Sequence, residues 1–231
     1  MIWDIAFAKR LQHGASRFEL DVAFTSDAQR LVLFGPSGAG KTQTLKVIAG
    51  LVQADRGHVR VAGRALYASA EHVQLTPQQR RLGYVFQDYA LFPHLTVRQN
   101  IAFARTSGWT NPPRRVRDPL VERWIETFRL HSVAEHFPHQ VSGGQRQRTA
   151  LARALMNEPT ALLLDEPFAA LDKGLRQRLR EDLAGLQREL EIPMLMITHD
   201  DEDLRLLADE VVHIRAGRVV AAPVETEAAG A

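Results

Sequence analysis

The chain has 231 residues, no cysteine, 45% hydrophobic and 24% charged residues, and a formal net charge of +2. That length closes one α/β core, the missing thiols exclude disulfides and thiolate metal sites and suit a reducing cytoplasm, and so small a charge offers no basic footprint for nucleic acid. No apolar run approaches the ~20 residues of a membrane-spanning helix, and Asp4 interrupts the opening "MIWDIAFAKR" where an export signal keeps its apolar stretch.

Short apolar runs come first. "IWDIAFA" and "RFELDVAF" roughly alternate, as strands with one solvated face do. "RLVLFG" is continuously apolar and runs into a glycine-rich loop, as a buried parallel strand would. A helix is predicted over "KTQTLKVIAGL", ending near Gly50, then strands over "GHVRVAGRALY", with a turn at Gly63, and over "RLGYVF". From Asp88 to Met156 the pattern changes. After the Pro/Arg-rich loop "GWTNPPRRVRDP", Leu120, Val121, Trp124, Ile125 and Phe128 make an apolar stripe at helical period. Residues 88–156 therefore read as a helical lobe inserted between 1–87 and 157–220. Strand and helix then alternate through "ALLLDEP", "KGLRQRLREDLAGLQRELE", "PMLMITHD" and "DEDLRLLAD" to a closing hairpin, "EVVHIRAGRVV". This argues for an α/β fold with a mostly parallel sheet and helices on its faces. The small, polar tail 221–231 is expected to fray.

The chemistry concentrates where strands end. "GPSGAGKT" (Gly35, Pro36, Ser37, Gly38, Ala39, Gly40, Lys41, Thr42) fits G-x-x-x-x-G-K-[ST], with a strand before it and a helix after. Its glycines let backbone N–H groups wrap phosphates at a helix N-terminus, Lys41 reaches the β- and γ-phosphates, and Thr42 holds Mg²⁺. Asp165, at the end of "ALLLD", is placed for the Mg²⁺ shell, and Glu166 after it for general-base activation of water. Ligands of open α/β sheets gather beyond the carboxyl ends of the strands, so His199 would face the same crevice. It is either structural or a ring donor to a γ-phosphate. Gln87, at the end of another strand, is either a surface residue or a neutral side chain whose carbonyl accepts from water or ligates Mg²⁺. A second anion-binding turn follows: Ser142, Gly143 and Gly144 cap a strongly helical stretch. Within one copy that turn has no nucleotide of its own.

These residues together resemble one family. "VSGGQ", Val141 to Gln145, resembles the ATP-binding-cassette (ABC) signature, usually Leu-Ser-Gly-Gly-Gln, and lies between a Gln-bearing loop and an Asp-Glu strand in the family's order. The likeness spans about residues 1–220. It implies a P-loop ABC cassette with an N-terminal antiparallel β-subdomain and an inserted helical subdomain. It further implies ATP and Mg²⁺, and head-to-tail pairing in which Ser142 to Gln145 of one copy close over the γ-phosphate held by the other. Asp172, in "ALD", joins that site by the same likeness. Three departures stand out: Val141 for Leu, Ala170 where Ser is frequent, and no Tyr or Trp near "RLQHGASRF" to stack on adenine. Phe18 is the nearest aromatic there, and is either that platform or core.

"LTPQQRRLGYVFQDYALFPHLTVRQNIAF" and "IPMLMITHD" are similar to bacterial importer ATPase subunits, above all those serving molybdate. The resemblance implies ATP hydrolysis coupled to import, a peripheral place on the cytoplasmic face of the plasma membrane, permease subunits, and a solute-binding protein reached only indirectly. Tyr89, Leu91, Phe92 and Pro93 are apolar for a loop, which suggests a contact surface for a permease helix. The regulatory C-terminal β-domain that such importers often carry is not expected. Other importer substrates (tungstate, sulfate, polyamine, iron, sugar), an exporter subunit, a soluble ABC ATPase and a P-loop kinase are the competing readings. The kinase leaves "VSGGQ" unexplained, and the soluble ATPase usually needs two cassettes or a coiled coil.

Overall fold

A computed structural model describes residues 1–14, 16–106, 110–169 and 173–221. The tail expected to fray lies, beyond Ala221, outside the described residues, as do Ala170 and Asp172.

Strands β1 (Trp3–His13) and β2 (Ser16–Ser26) pair antiparallel, with Trp3 opposite Ser26. Trp3, Ile5 and Phe7 are buried at the two-residue period of a half-solvated strand. β3 (Arg30–Phe34) leads through the glycine loop into helix α1 (Lys41–Ala49). β4 (Arg56–Val61), β5 (Arg64–Ala68) and the short β6 (Val73–Gln74) extend the antiparallel half. α2 (Pro77–Arg80), capped by Thr76, precedes β7 (Leu82–Val85).

α3 (Val97–Ala102), α4 (Pro119–Thr127) and α5 (Gly143–Leu155) follow, with no strand among the described residues between β7 and β8 (Ala161–Asp165). The α4 stripe buries Val121, Trp124 and Ile125 in the same core as Ile101, Leu151 and Leu164. The chain closes with α6 (Lys173–Leu190), β9 (Met194–Thr198), α7 (Asp201–Leu207), β10 (Glu210–Arg215) and β11 (Arg218–Val220).

The eleven strands among the described residues form one sheet, in the order β6-β5-β4-β1-β2-β11-β10-β3-β9-β8-β7. The antiparallel and parallel halves meet at a narrow seam, where β11 pairs with β2 through Arg218 and Asp21, and the Asp21 N–H donates to the Gly217 carbonyl at 2.8 Å. In the parallel half every residue of β8 and β9 is buried, which is why both read as unbroken apolar runs. Register aligns their carboxyl ends: Phe34 lies opposite Thr198, Ile197 opposite Asp165, and Leu164 opposite Val85. The loops after β3, β9, β8 and β7 therefore share one edge. No helix among the described residues is long and apolar enough to cross a membrane.

One buried cation holds the far end of α1. Arg80, 3% exposed, donates to the carbonyls of Val47 (2.9 Å), Ile48 (2.7 Å) and Leu75 (3.1 Å), and burial pushes its pKa down to about 10. Its guanidinium bonds two carbonyls of the last turn of α1, where the backbone dipole favours a positive charge, and ties them to Leu75. Arg80→Met keeps the stem and removes these bonds, leaving the Val47 carbonyl only the Gly50 N–H at 3.1 Å. We expect a loss of about 3 kcal/mol, seen in a thermal melt as a midpoint roughly 6–12 °C lower.

Candidate functional site

The loop after β3 wraps a lysine. The Lys41 ammonium, its residue 5% exposed, donates to the Gly35 carbonyl at 2.7 Å and the Pro36 carbonyl at 3.0 Å. Burial lowers its pKa, and the carboxylates of Glu166 and Asp165 oppose that shift. Gly40 takes φ 101°, in the left-handed region, and a Cβ there would stand 2.6 Å from a Leu20 methyl. Only glycine turns the chain there without strain. As N-cap of α1 it offers no side chain to the helix's first N–H groups. Pro36, Ser37 and Gly38 are exposed, while Ala39 is buried with its carbonyl accepting from the Gly217 N–H at 2.9 Å.

Two oxygen donors meet beside that lysine. The Thr42 hydroxyl donates to Asp165 Oδ1 at 2.9 Å, and the Tyr84 hydroxyl donates to Asp165 Oδ2 at 3.1 Å. Burial holds the Asp165 carboxyl above its ordinary pKa, and the two hydroxyls pull the other way. Tyr84 is driven upward by burial and by Asp165, so its phenol stays a donor. Nothing in the sequence pattern singled out Tyr84. Its signal is alternation along β7, which sends Tyr84 and Phe86 to one face, their rings 4.4 Å apart.

Glu166 follows at φ 45°, its side chain 16% exposed and its N–H donating to the Ile197 carbonyl at 3.1 Å. His199 Nδ1 stands 3.4 Å from Glu166 Oε1. Gln87 is exposed, in the turn two residues beyond β7 rather than at the strand's end. An open cleft of about 420 Å³ runs past Gly35, Pro36, His199, His213 and Arg215. Phe18 is half-buried, with a ring atom 3.0 Å from where a Gly40 Cβ would be.

The signature turn stands apart from this cluster. No hydrogen bond or ion pair among the described residues joins Ser142, Gly143, Gly144 or Gln145 to the loop 35–42. Ser142 is exposed and caps α5 reciprocally with Gln145: the Gln145 N–H donates to Ser142 Oγ at 3.3 Å, and the Ser142 N–H to Gln145 Oε1 at 2.8 Å. Gly144 is buried against α6, where a Cβ would come within 3.1 Å of a Leu175 methyl.

One expected contact residue faces the wrong way. Tyr89 is 3% exposed, with its hydroxyl donating to the Pro167 carbonyl at 3.4 Å, so it cannot meet a partner. Leu91 and Phe92 are half-buried and Pro93 is exposed. Phe92 packs on Phe103 at 4.2 Å, and Arg153 lies over its ring. With Tyr84, Phe86 and Ala104 these line an open groove of about 630 Å³ between β7 and the helices that follow it.

A family model described as ABC transporter matches residues 21–169. The chain is 43% identical over 211 residues to the molybdate/tungstate import ATP-binding protein WtpC of Archaeoglobus fulgidus, covering 91% of this chain and 84% of that one. It is 47% identical over 206 residues to the sulfate/thiosulfate import ATP-binding protein CysA 1 of Chromobacterium violaceum, but spans only 55% of that relative. With the molybdenum import ATP-binding protein ModC of Paramagnetospirillum magneticum it shares 37% over 217 residues, 94% of this chain and 59% of the other. Among solved structures, the dimeric post-hydrolysis state of the ATP-binding cassette MJ0796 bound to ADP and Pi superposes with a TM-score of 0.77, at 27% identity over 96% of this chain and 97% of that one. Phosphate loop, buried aspartate, adjoining glutamate and a separate capped signature helix are thus found on a matching fold, and the chain belongs to the ABC transporter family.

Proposed function

We propose that this chain is the ATP-binding and ATP-hydrolysing subunit of an ABC importer for molybdate or a related oxyanion such as tungstate or sulfate. The observation that carries the reading is the shared sheet edge, which gathers Lys41, Thr42, Asp165, Glu166 and His199 while Ser142 waits, solvent-exposed, on another lobe.

The chemistry follows from those atoms. Lys41 exchanges two loop carbonyls for the oxygens of the β- and γ-phosphates, a charge-assisted replacement for neutral acceptors. Thr42 Oγ1 and the Asp165 carboxylate are hard oxygen donors suited to Mg²⁺, and Gln87 offers a third from the neighbouring turn. When bound, that ion neutralises phosphate charge. Glu166 accepts a proton from the attacking water as its oxygen bonds to the γ-phosphorus. The bond to the β–γ bridging oxygen breaks, leaving ADP and phosphate. His199 orients toward the γ-phosphate from the strand between β3 and β8. Phe18, half-buried beside Gly40 and packed on the core, is an aromatic candidate for stacking on adenine.

Ser142, Gly143, Gly144 and Gln145 supply N–H and hydroxyl donors to the γ-phosphate of a second copy. They do so only while that phosphate is present, so ATP favours the closed pair and hydrolysis releases it. Asp172 belongs to the same interface by family likeness. The groove at Phe92 and Phe103 suits a short apolar helix of the membrane permease, with Leu91 and Pro93 as its neighbours in the chain. Closing and opening would then reach the membrane from the cytoplasmic face. The dimeric MJ0796 cassette supports the pairing, and the import proteins named above support the oxyanion.

The chain should co-purify from membranes with a multi-span protein. In vesicles that pair, with its solute-binding protein, should take up molybdate, tungstate or sulfate only with ATP. Recovery with ribosomes or DNA, or uptake of a polyamine or sugar in place of an oxyanion, would contradict the reading.

A further inference from the structure

Arg180, in the middle of α6, has a side chain only 1% exposed. Its whole guanidinium is spent on one short segment. Nε donates to Asp203 Oδ1 at 2.5 Å, Nη1 to Glu202 Oε2 at 2.5 Å, and Nη2 to Asp200 Oδ2 at 2.8 Å. Arg176, one turn earlier on α6, also donates to Asp200 Oδ2, at 3.0 Å. Behind the fork lies Phe168, its ring centroid 6.0 Å from the guanidinium carbon. Phe168 is buried and stands two residues after Glu166. The three carboxylates form the cap and first turn of α7, the residues that come directly after His199.

His199 depends on that segment. Its side chain is 56% exposed, and among the described residues its one ion-pairing contact is the 3.4 Å approach to Glu166. Its two chain neighbours, by contrast, are pinned. The Thr198 hydroxyl donates to the Asp203 carboxylate and accepts the Asp200 N–H at 3.1 Å. The Asp200 carboxylate takes Arg176 and Arg180, and its other oxygen caps the Glu202 N–H at 2.9 Å. The imidazole is thus placed by its backbone, and the backbone by the fork.

A buried ion pair seldom outcompetes apolar packing for stability alone, whereas a planar fork with several fixed acceptors imposes distance and angle. We propose that Arg180 is a positioning residue, which fixes His199 relative to Glu166 by tying the first turn of α7 to α6 and to Phe168. The inference rests on the ATPase reading above and adds a residue that touches neither nucleotide nor water.

The test uses the purified full chain and four variants: Arg180→Lys, which keeps the charge and loses the fork, Asp200→Asn, His199→Ala, and Arg180→Lys with His199→Ala. Asp200→Asn keeps a capping side chain for α7 and approaches the network from its more solvent-exposed side, so it serves if Arg180→Lys does not fold. We expect Arg180→Lys to lower kcat about tenfold or more with the ATP KM within twofold of the parent, and Asp200→Asn to lower it several-fold in the same pattern. In the His199→Ala background Arg180→Lys should cost little further, because both changes remove one function. Losses that multiply, a change confined to KM, or a folded Arg180→Lys protein with full kcat would overturn the proposal. If His199→Ala itself leaves hydrolysis at the parent rate, the role given to His199 fails and this inference falls with it. If His199→Ala is impaired and Arg180→Lys is not, the inference alone fails.

Discussion

Replacing Glu166 by Gln should cut steady-state phosphate release by ~10²–10⁴, the usual contribution of a positioned general base, while leaving ATP bound. The two side chains match in shape, so the turn at φ 45° and the N–H bond to the Ile197 carbonyl are retained. What disappears is the capacity to accept a proton at a point 3.4 Å from His199 Nδ1 and close enough to influence the Lys41 ammonium. Loss of the negative charge also relieves repulsion with the incoming γ-phosphate, so affinity for ATP should hold or rise. Parallel phosphate-release and nucleotide-titration measurements check both halves. A variant within tenfold of the parent rate would remove Glu166 from the role of base.

A charge placed at Ser142 should separate binding from pairing. Ser142→Asp retains a good helix cap, since Asp accepts the same N–H bond that Ser142 Oγ takes from Gln145 at 3.3 Å. Helix α5 should therefore persist. In the closed pair, however, the new carboxylate would stand opposite a γ-phosphate. Like charges about 4 Å apart cost roughly 4 kcal/mol at an effective dielectric near 20, equivalent to about a thousandfold weaker pairing. ATP binding to the single chain should match the parent by titration, because among the described residues no hydrogen bond or ion pair joins Ser142 to the loop around Lys41. Hydrolysis should fall with the pairing. Parent-level turnover in this variant would mean that one copy completes its own site.

The legible parts of the molecule are those governed by local pattern. β8 and β9 read as strands because both faces are buried, and α4 because Val121, Trp124 and Ile125 repeat at helical spacing. The glycine loop is legible because its backbone demands glycine, most plainly at Gly40. Partnerships across the chain are harder. Thr42 and Asp165 lie 123 residues apart, and only the parallel register joins them with Tyr84. The Arg180 fork is invisible in advance: helical period places Arg176 and Arg180 on one face, but cannot say that Asp200 and Asp203 will cover it. Tyr89 misleads for a related reason. Composition marks it as too apolar for a free loop, yet a left-handed turn at Tyr89 and Ala90 folds the ring inward toward Pro167. Apolar character alone does not distinguish a buried anchor from a docking surface.

The central claim is that each copy supplies the signature helix for the phosphate site of the other. Light scattering on Glu166→Gln at saturating ATP and Mg²⁺ tests it most directly. The account predicts particles of twice the chain's mass that revert to single chains in ADP, and no such particles when Ser142→Asp is added. A Glu166→Gln protein that binds ATP and remains a single chain, or one that pairs equally well with Asp at 142, would contradict it.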